Sequence, residues 1–211
     1  MKASLPTMRT APSSRTQLRR TPKRGAYDRA TIQAVLDAGY IVHVGFADPQ
    51  SGFPVVIPTA YARLDDELVF HAARVSRLAA AAARAEICAT VTLLDGLVLA
   101  KSAFHHSMNF RSVVAFGRAR EIDLVAEKNA ALAAFTEKLV PGRWAQIRQP
   151  SPKELAMTAV FALPLDEASA KIRSGPPLDD AEDLALPIDA GVIPLELTAG
   201  KLIPAPTEPI R

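Results

Sequence analysis

Apolar positions along the chain fall into short alternating runs, set between two stretches where they return every three or four residues. The first helical stretch has Ile32, Val35 and Leu36 on one face, Asp28 placed to cap its start and Gly39 to stop it. A strand is predicted over 40–47, followed by the turn-forming run Asp48-Pro49-Gln50-Ser51-Gly52. A second strand covers 53–63. Its prolines, Pro54 and Pro58, cannot donate ladder hydrogen bonds, which implies an edge, a bulge or a bend. Leu64-Asp65-Asp66 turns into a third strand over 67–72, and the alanine-rich segment 76–85 reads as helix. A buried strand follows over 86–94. Asp95-Gly96 reads as a turn and 97–100 as extended. A long strand is predicted over 110–122. The helix expected over 125–139 carries Leu132, Phe135 and Leu139 at helical spacing and ends at Pro141-Gly142. The last strand is placed over 155–163, with a short helix or turn over 166–172. About six strands with flanking helices predict an α+β, mainly β protein, built as a closed antiparallel barrel.

This pattern divides the 211 residues into a flexible basic arm over 1–24, a barrel domain over 25–173 and an extended proline-rich arm over 174–211. With 49% hydrophobic residues the body can bury a core. The net charge of +3 is unevenly spread, because the first 24 residues hold seven Lys and Arg and no acid, leaving the remainder at −4. A folded nucleic-acid binder carries its basic footprint on the domain itself, so no nucleic-acid partner is expected. No apolar run is long enough to cross a membrane, and the basic start lacks the apolar stretch of a secretory signal. The single cysteine, Cys88, sits in an apolar run and reads as a small core residue, which suits a reducing cytoplasm.

Two stretches could carry chemistry. His71-Ala72-Ala73-Arg74-Val75-Ser76-Arg77-Leu78 leaves a strand and enters a helix. Free N–H groups at a helix start attract anions, Ser76 adds a hydroxyl, and Arg77 can grip two phosphate oxygens. The same pattern also describes an ordinary serine-capped helix with a solvated arginine. The second stretch, from Lys101 to Ser112, holds His105 and His106. Neighbours on an extended chain point to opposite faces, and no Cys or carboxylate lies near at ligand spacing, so no metal site is expected. His43 reads as a packed strand histidine. Trp144 reads as a packing anchor that could also cover an aromatic cofactor. There is no glycine-rich nucleotide fingerprint, Walker-type loop or nucleophile elbow.

Several of these segments together resemble the pyridoxamine 5′-phosphate oxidase-like flavoproteins, in particular the nitroimidazole-reductase-like branch of flavin-nucleotide-binding proteins. The segments are Tyr27-Asp28-Arg29, 43–46, 56–61, 71–77, 90–118, Pro141-Gly142-Arg143-Trp144 and 169–177, the specific one being 90–118. The resemblance implies an FMN-binding split β-barrel and a homodimer with flavin at the subunit interface. It places Val56, Ile57, Pro58, Thr59, Ala60 and Tyr61 under the flavin ring. It places His71, Ala72, Ser76 and Arg77 at the flavin phosphate, and Asn109, Arg111 and Ser112 at the flavin from a later strand. Tyr61 stands where the oxidase proper has a basic residue, Leu78 where it has lysine and Ser112 where it has glutamine, so vitamin B6 oxidation is not expected. The expected function is a flavin-dependent oxidoreductase of a small molecule whose identity stays open, as do the catalytic residues. His71 and Tyr61 are acid–base candidates only as expected neighbours of the ring. The alternative is a flavin, haem or deazaflavin carrier or sensor without turnover.

Overall fold

The computed structural model describes residues 10–206. Its ordered elements are β1 (Gly25–Ala26), α1 (Arg29–Ala38), β2 (Ile41–Ala47), β3 (Pro54–Leu64), β4 (Glu67–Ala73), α2 (Arg77–Ala82) and β5 (Glu86–Leu99). Then follow β6 (Ser107–Arg118), β7 (Arg120–Glu121), α3 (Val125–Leu139), α4 (Pro152–Met157), β8 (Thr158–Pro164), β9 (Ala168–Arg173) and β10 (Gly191–Pro194). The sheet runs β1-β9-β6-β5-β2-β3-β4-β8-β7, with β10 added against β5. The architecture is the expected α+β split barrel, mainly antiparallel sheet, but the described residues hold four α-helices and ten strands rather than about six. It is also not the closed barrel that strand counting suggested: β1 and β7 are the two ends of the strand order.

The chain forms two compact units, 1–94 with 110–174, and 95–109 with 175–211. In the first unit, α1 forms as its pattern dictates. Asp28 accepts from the Thr31 N–H, and Ile32, Val35 and Leu36 are buried. They join Val42, Val44 and Phe46 of β2, Tyr61 of β3, Phe70 of β4 and Phe161 of β8 in the main core. A smaller cluster under α3 joins Ala62, Val69, Ile122, Ala131, Val160 and Ala162. β3 changes partner along its length: Pro54–Ala60 pair with β2, and Tyr61–Leu64 with β4. Both prolines therefore lie where the strand has a neighbour on one side only, the edge among the alternatives that they implied.

Four local expectations are corrected. Asp95-Gly96 is not a turn, because β5 runs unbroken to Leu99 and β10 pairs across it, Pro194 opposite Gly96. Residues 155–157 are helical rather than extended: Ser151 and Glu154 form a reciprocal capping box that starts α4. Residues 168–173 form β9, not a helix or turn, held between β6 and β1. The strand predicted over 110–122 is broken at Ala119 into β6 and β7. In the expected arm, residues 1–9 lie outside the described residues. Residues 10–24 pack against the unit: Thr16 is buried, Arg15 pairs with Glu86 and Glu167, and the Leu18 N–H donates to the Tyr27 hydroxyl.

In the second unit, β10 lies antiparallel on residues 96–99. The proline-rich segment after 174 is tied down by side chains: the Lys101 N–H donates to Asp179, and the Lys101 ammonium donates to the Leu186 and Ile188 carbonyls. No described helix is long and apolar enough to cross a membrane.

Candidate flavin site

β3 turns one face to the core and one away from it. Val55, Ile57 and Tyr61 pack on the core, whereas Val56 is 62% exposed and Pro58 is exposed. The Tyr61 hydroxyl donates to the Leu36 carbonyl at 2.5 Å, and the Lys138 ammonium lies 3.6 Å from its ring centroid. Burial raises the Tyr61 pKa and lowers that of Lys138 to about 8. Tyr61 therefore faces the core as a neutral phenol and has no proton to exchange with a molecule outside it. Its backbone remains next to the open edge of β3, where 54–60 pair with β2 alone.

His71 and Ala72 continue on β4, which pairs with β3 through Tyr61 to Leu64. The His71 ring is half-buried, edge-on to Phe135 of α3 with centroids 4.9 Å apart, and desolvation lowers its pKa. Beyond Ala73 the chain makes a tight loop in which the Ser76 N–H bonds the Ala73 carbonyl. Arg74 turns back, bonding the Ala156 carbonyl and pairing with Glu121. Ser76 caps α2 by accepting from the Ala79 N–H at 3.1 Å, so its hydroxyl already has a structural task. The N–H groups of Arg77 and Leu78 have no partner within the helix.

Arg77 has a partner that the sequence reading missed. Its Nε lies 3.4 Å from Asp48 in the β2–β3 turn, while the Arg77 side chain is 62% exposed. Asp48 is itself fixed, accepting from the Ser51 and Gln50 N–H groups and the Ser51 hydroxyl. The Ser51 N–H is the main cause holding its pKa below the usual carboxylate value. The turn run was readable in the sequence, but its approach to residue 77 on α2 is a tertiary contact and carries no local signal.

The structure brings Val56–Tyr61, His71, Ala72, Ser76 and Arg77 together on adjoining elements. Arg111 and Ser112 are elsewhere: β6 is separated from β3 by β5 and β2, three strand spacings or about 14 Å along the sheet. Ser112 donates to the Lys171 carbonyl of β9. Asn109 belongs to the second unit, where its side-chain amide donates to the Gly175 carbonyl.

The histidines differ in what fixes them. His43, expected to be packed, is exposed on β2 between Pro58 and Thr90. In the second unit, His105 Nε2 lies 3.0 Å from an Asp180 carboxylate oxygen, and that hydrogen bond is the main cause of its raised pKa. His106 Nδ1 lies 2.9 Å from the Ser102 carbonyl. A carbonyl only accepts, so Nδ1 carries the proton and neutral His106 presents its lone pair on Nε2. This is the tautomer a metal-ligating imidazole adopts when its other nitrogen bonds a backbone carbonyl. Among the described residues, no three His, Cys, Asp or Glu side chains cluster as a metal site of their own. Trp144 is half-buried, its N–H donating to Glu137.

Comparison with known proteins gives the family and the fold. Residues 28–172 match the family model described as pyridoxamine 5′-phosphate oxidase. The flavocytochrome Anf3 from Azotobacter vinelandii is 43% identical, over 94% of this chain and 92% of that one, with a TM-score of 0.88. An FAD and haem binding protein from Mycobacterium smegmatis is 35% identical, over 87% of this chain and 90% of that one, with a TM-score of 0.82. A 5-nitroimidazole antibiotic resistance protein, so described as putative, from Bacteroides thetaiotaomicron shares the fold at 21% identity, over 70% of this chain and 86% of that one, with a TM-score of 0.59. No curated protein matches the chain.

Proposed function

The chain belongs to the pyridoxamine 5′-phosphate oxidase family, and from that premise we propose that it is a flavin-binding redox protein that also holds haem. The observation that carries the flavin half is the open edge of β3 at 56–60, with the exposed Arg77 at the start of α2 reaching Asp48 in the β2–β3 turn next to it. A flavin ring can lie against Val56 and Pro58 and use the free backbone groups of that edge, while its phosphate meets the first N–H groups of α2 and the Arg77 guanidinium. Arg77 would exchange an exposed pairing with Asp48 for the more highly charged phosphate. We place FAD ahead of the expected FMN, because a relative 35% identical over most of this chain is an FAD and haem binder.

Haem enters through the same two relatives and the fixed tautomer of His106. When bound, flavin exchanges electrons in pairs or singly and haem exchanges them singly, so a chain holding both can match a two-electron donor to a one-electron acceptor. The chain's own share is binding, orientation and charge. Neither Tyr61, which faces the core, nor His71, wedged against Phe135, is placed as an acid or base.

A homodimer completes this reading. Arg111 and Ser112 lie three strands along the sheet from Val56–Tyr61, and we place the two sets on one flavin as residues of two copies. The outward faces of β2 and β3 expose Ile41 and Val56, apolar surface suited to an isologous contact. The test is extraction of the purified chain by heat and acid, with mass spectrometry of the released cofactors and light scattering of the native protein. FAD and protohaem from a species of about twice the chain mass are expected. A flavin-free monomer that cannot be reconstituted would refute the proposal.

A further inference from the structure

We propose that the cleft between the N-terminal segment and β1 binds an organic phosphate, held through its phosphoryl group by Arg19 and Lys23, at a site separate from the flavin. The cations of the first 24 residues read in the sequence as belonging to a flexible arm, but the structure seats residues 10–24 on the first unit. Thr16 is buried, the Ser13 hydroxyl donates to Glu167, and the Leu18 N–H donates to the Tyr27 hydroxyl at 2.9 Å. Gly25 and Ala26 then pair with β9. The basic charge is therefore carried at fixed positions on the folded domain.

Between these anchors the chain reverses at Thr21, whose φ of 56° lies in the left-handed region that a β-branched residue rarely adopts. The reversal brings residues 17–19 and 22–23 onto one open cleft of about 670 Å³, within the size range of small-molecule sites. Leu18, Pro22 and Tyr27 give it apolar wall, and Gln17, Arg19 and Lys23 give it polar groups. Arg15, outside the cleft, is already matched by Glu86 and Glu167. Arg19, Arg20, Lys23 and Arg24 pair with no described carboxylate. Burial lowers the pKa of Arg173 on β9 and the charge of Arg24 lowers it further, so like charges crowd this end of the β1–β9 pair. A phosphoryl group carries close to two negative charges near neutral pH and meets a guanidinium fork and an ammonium together, where a single carboxylate leaves one cation unmatched. The apolar walls receive an organic body that inorganic phosphate lacks. In the strand order β1 stands five positions from β3, and neither Val56–Tyr61 nor Arg77 lines this cleft.

The experiment titrates the full-length chain with AMP by isothermal calorimetry at physiological salt, alone and with FAD at saturation. Saturable AMP binding is expected under both conditions. Adenosine and inorganic phosphate, each lacking half of the recognised chemistry, should bind at least about tenfold more weakly. Arg19→Ala and Lys23→Ala should each weaken AMP by about tenfold, the lower end of the effect of a charge-assisted hydrogen bond, as suits an open cleft. Both side chains are exposed, so far-ultraviolet circular dichroism should be unchanged. Arg20→Ala removes the same charge from outside the cleft and should change the affinity by less than about twofold, because solvent and salt screen it. The absence of saturable AMP binding overturns the proposal. Loss of AMP binding when FAD is present overturns it as well, since AMP then occupies the flavin's own site. An Arg20→Ala loss equal to that of Arg19→Ala also overturns it, since the segment then attracts anions in general and the cleft selects nothing.

Discussion

Two helices in this protein begin on a serine, and their first turns are finished in opposite ways. At α4, Ser151 accepts from the Glu154 N–H, and the Glu154 carboxylate returns to the Ser151 N–H while pairing with both terminal nitrogens of Arg148. That helix start carries its own anion. At α2, Ser76 makes the same cap to the Ala79 N–H, but the first turn holds no acid and its side chain is the exposed Arg77. Equal capping with unequal charge distinguishes a closed structural turn from one that can receive an anion from outside.

The strongest way to break this comparison is at Arg77. Arg77→Ala should weaken FAD or FMN by roughly ten- to a hundredfold, from the loss of about 1.5–3 kcal/mol of charge-assisted bonding. Riboflavin, which lacks phosphate, should bind wild type and variant alike. Arg148→Ala at the closed turn should leave flavin affinity unchanged. Isothermal titration of the four pairings checks this, and equal losses for riboflavin and the nucleotides would remove Arg77 from the phosphate.

The next effect is on stability. Ser151→Ala and Ser76→Ala should each cost about 1 kcal/mol in urea denaturation, since both serines cap in the same way. Only Ser76→Ala should touch flavin nucleotide binding, and by less than Arg77→Ala, because the helix N–H groups remain. Acid separates the two turns further. Arg148 is the main cause holding the Glu154 pKa down to about 2. A carboxylate lowered on folding contributes stability that is complete above its ordinary pKa of 4.5 and is lost as pH falls toward 2. The gap between wild type and Glu154→Gln should therefore close over that range, while the gap for Ser76→Ala should stay constant. Denaturation midpoints at pH 6 and pH 3 decide it.

The smallest effect concerns the Asp48 carboxylate. Asp48→Asn keeps an acceptor for the turn's N–H groups but releases Arg77, so flavin nucleotides should bind a few-fold more tightly and riboflavin should be unchanged. Fluorescence quenching resolves that difference.

How far the sequence reveals these features depends on the range of the interaction that makes them. α1 was legible because its cap and periodicity lie within its own residues, and α3 because its apolar spacing does. The Ser151 to Glu154 box was equally local, but the apolar residues after it hid it behind a strand reading. β9 was not legible. Ala168, Ser169 and Ala170 are buried by β6 and β1, which are distant in sequence, and the segment has no alternation of its own. The extended Asp95-Gly96 is likewise a consequence of β10, nearly a hundred residues later. The Ser76–Arg77 helix start and the β3 segment were readable as candidates. That Tyr61 faces the core follows from strand parity once β3 is seated, whereas the Asp48–Arg77 contact joins a turn and a helix start distant in sequence.

The most direct test of the central claim is an equilibrium titration of the cofactor-free wild-type chain with FAD, FMN and riboflavin, followed by quenching of flavin fluorescence. The account predicts saturation at one flavin per chain, with both nucleotides binding roughly ten- to a hundredfold more tightly than riboflavin. No saturable quenching, or riboflavin binding as tightly as the nucleotides, would contradict it.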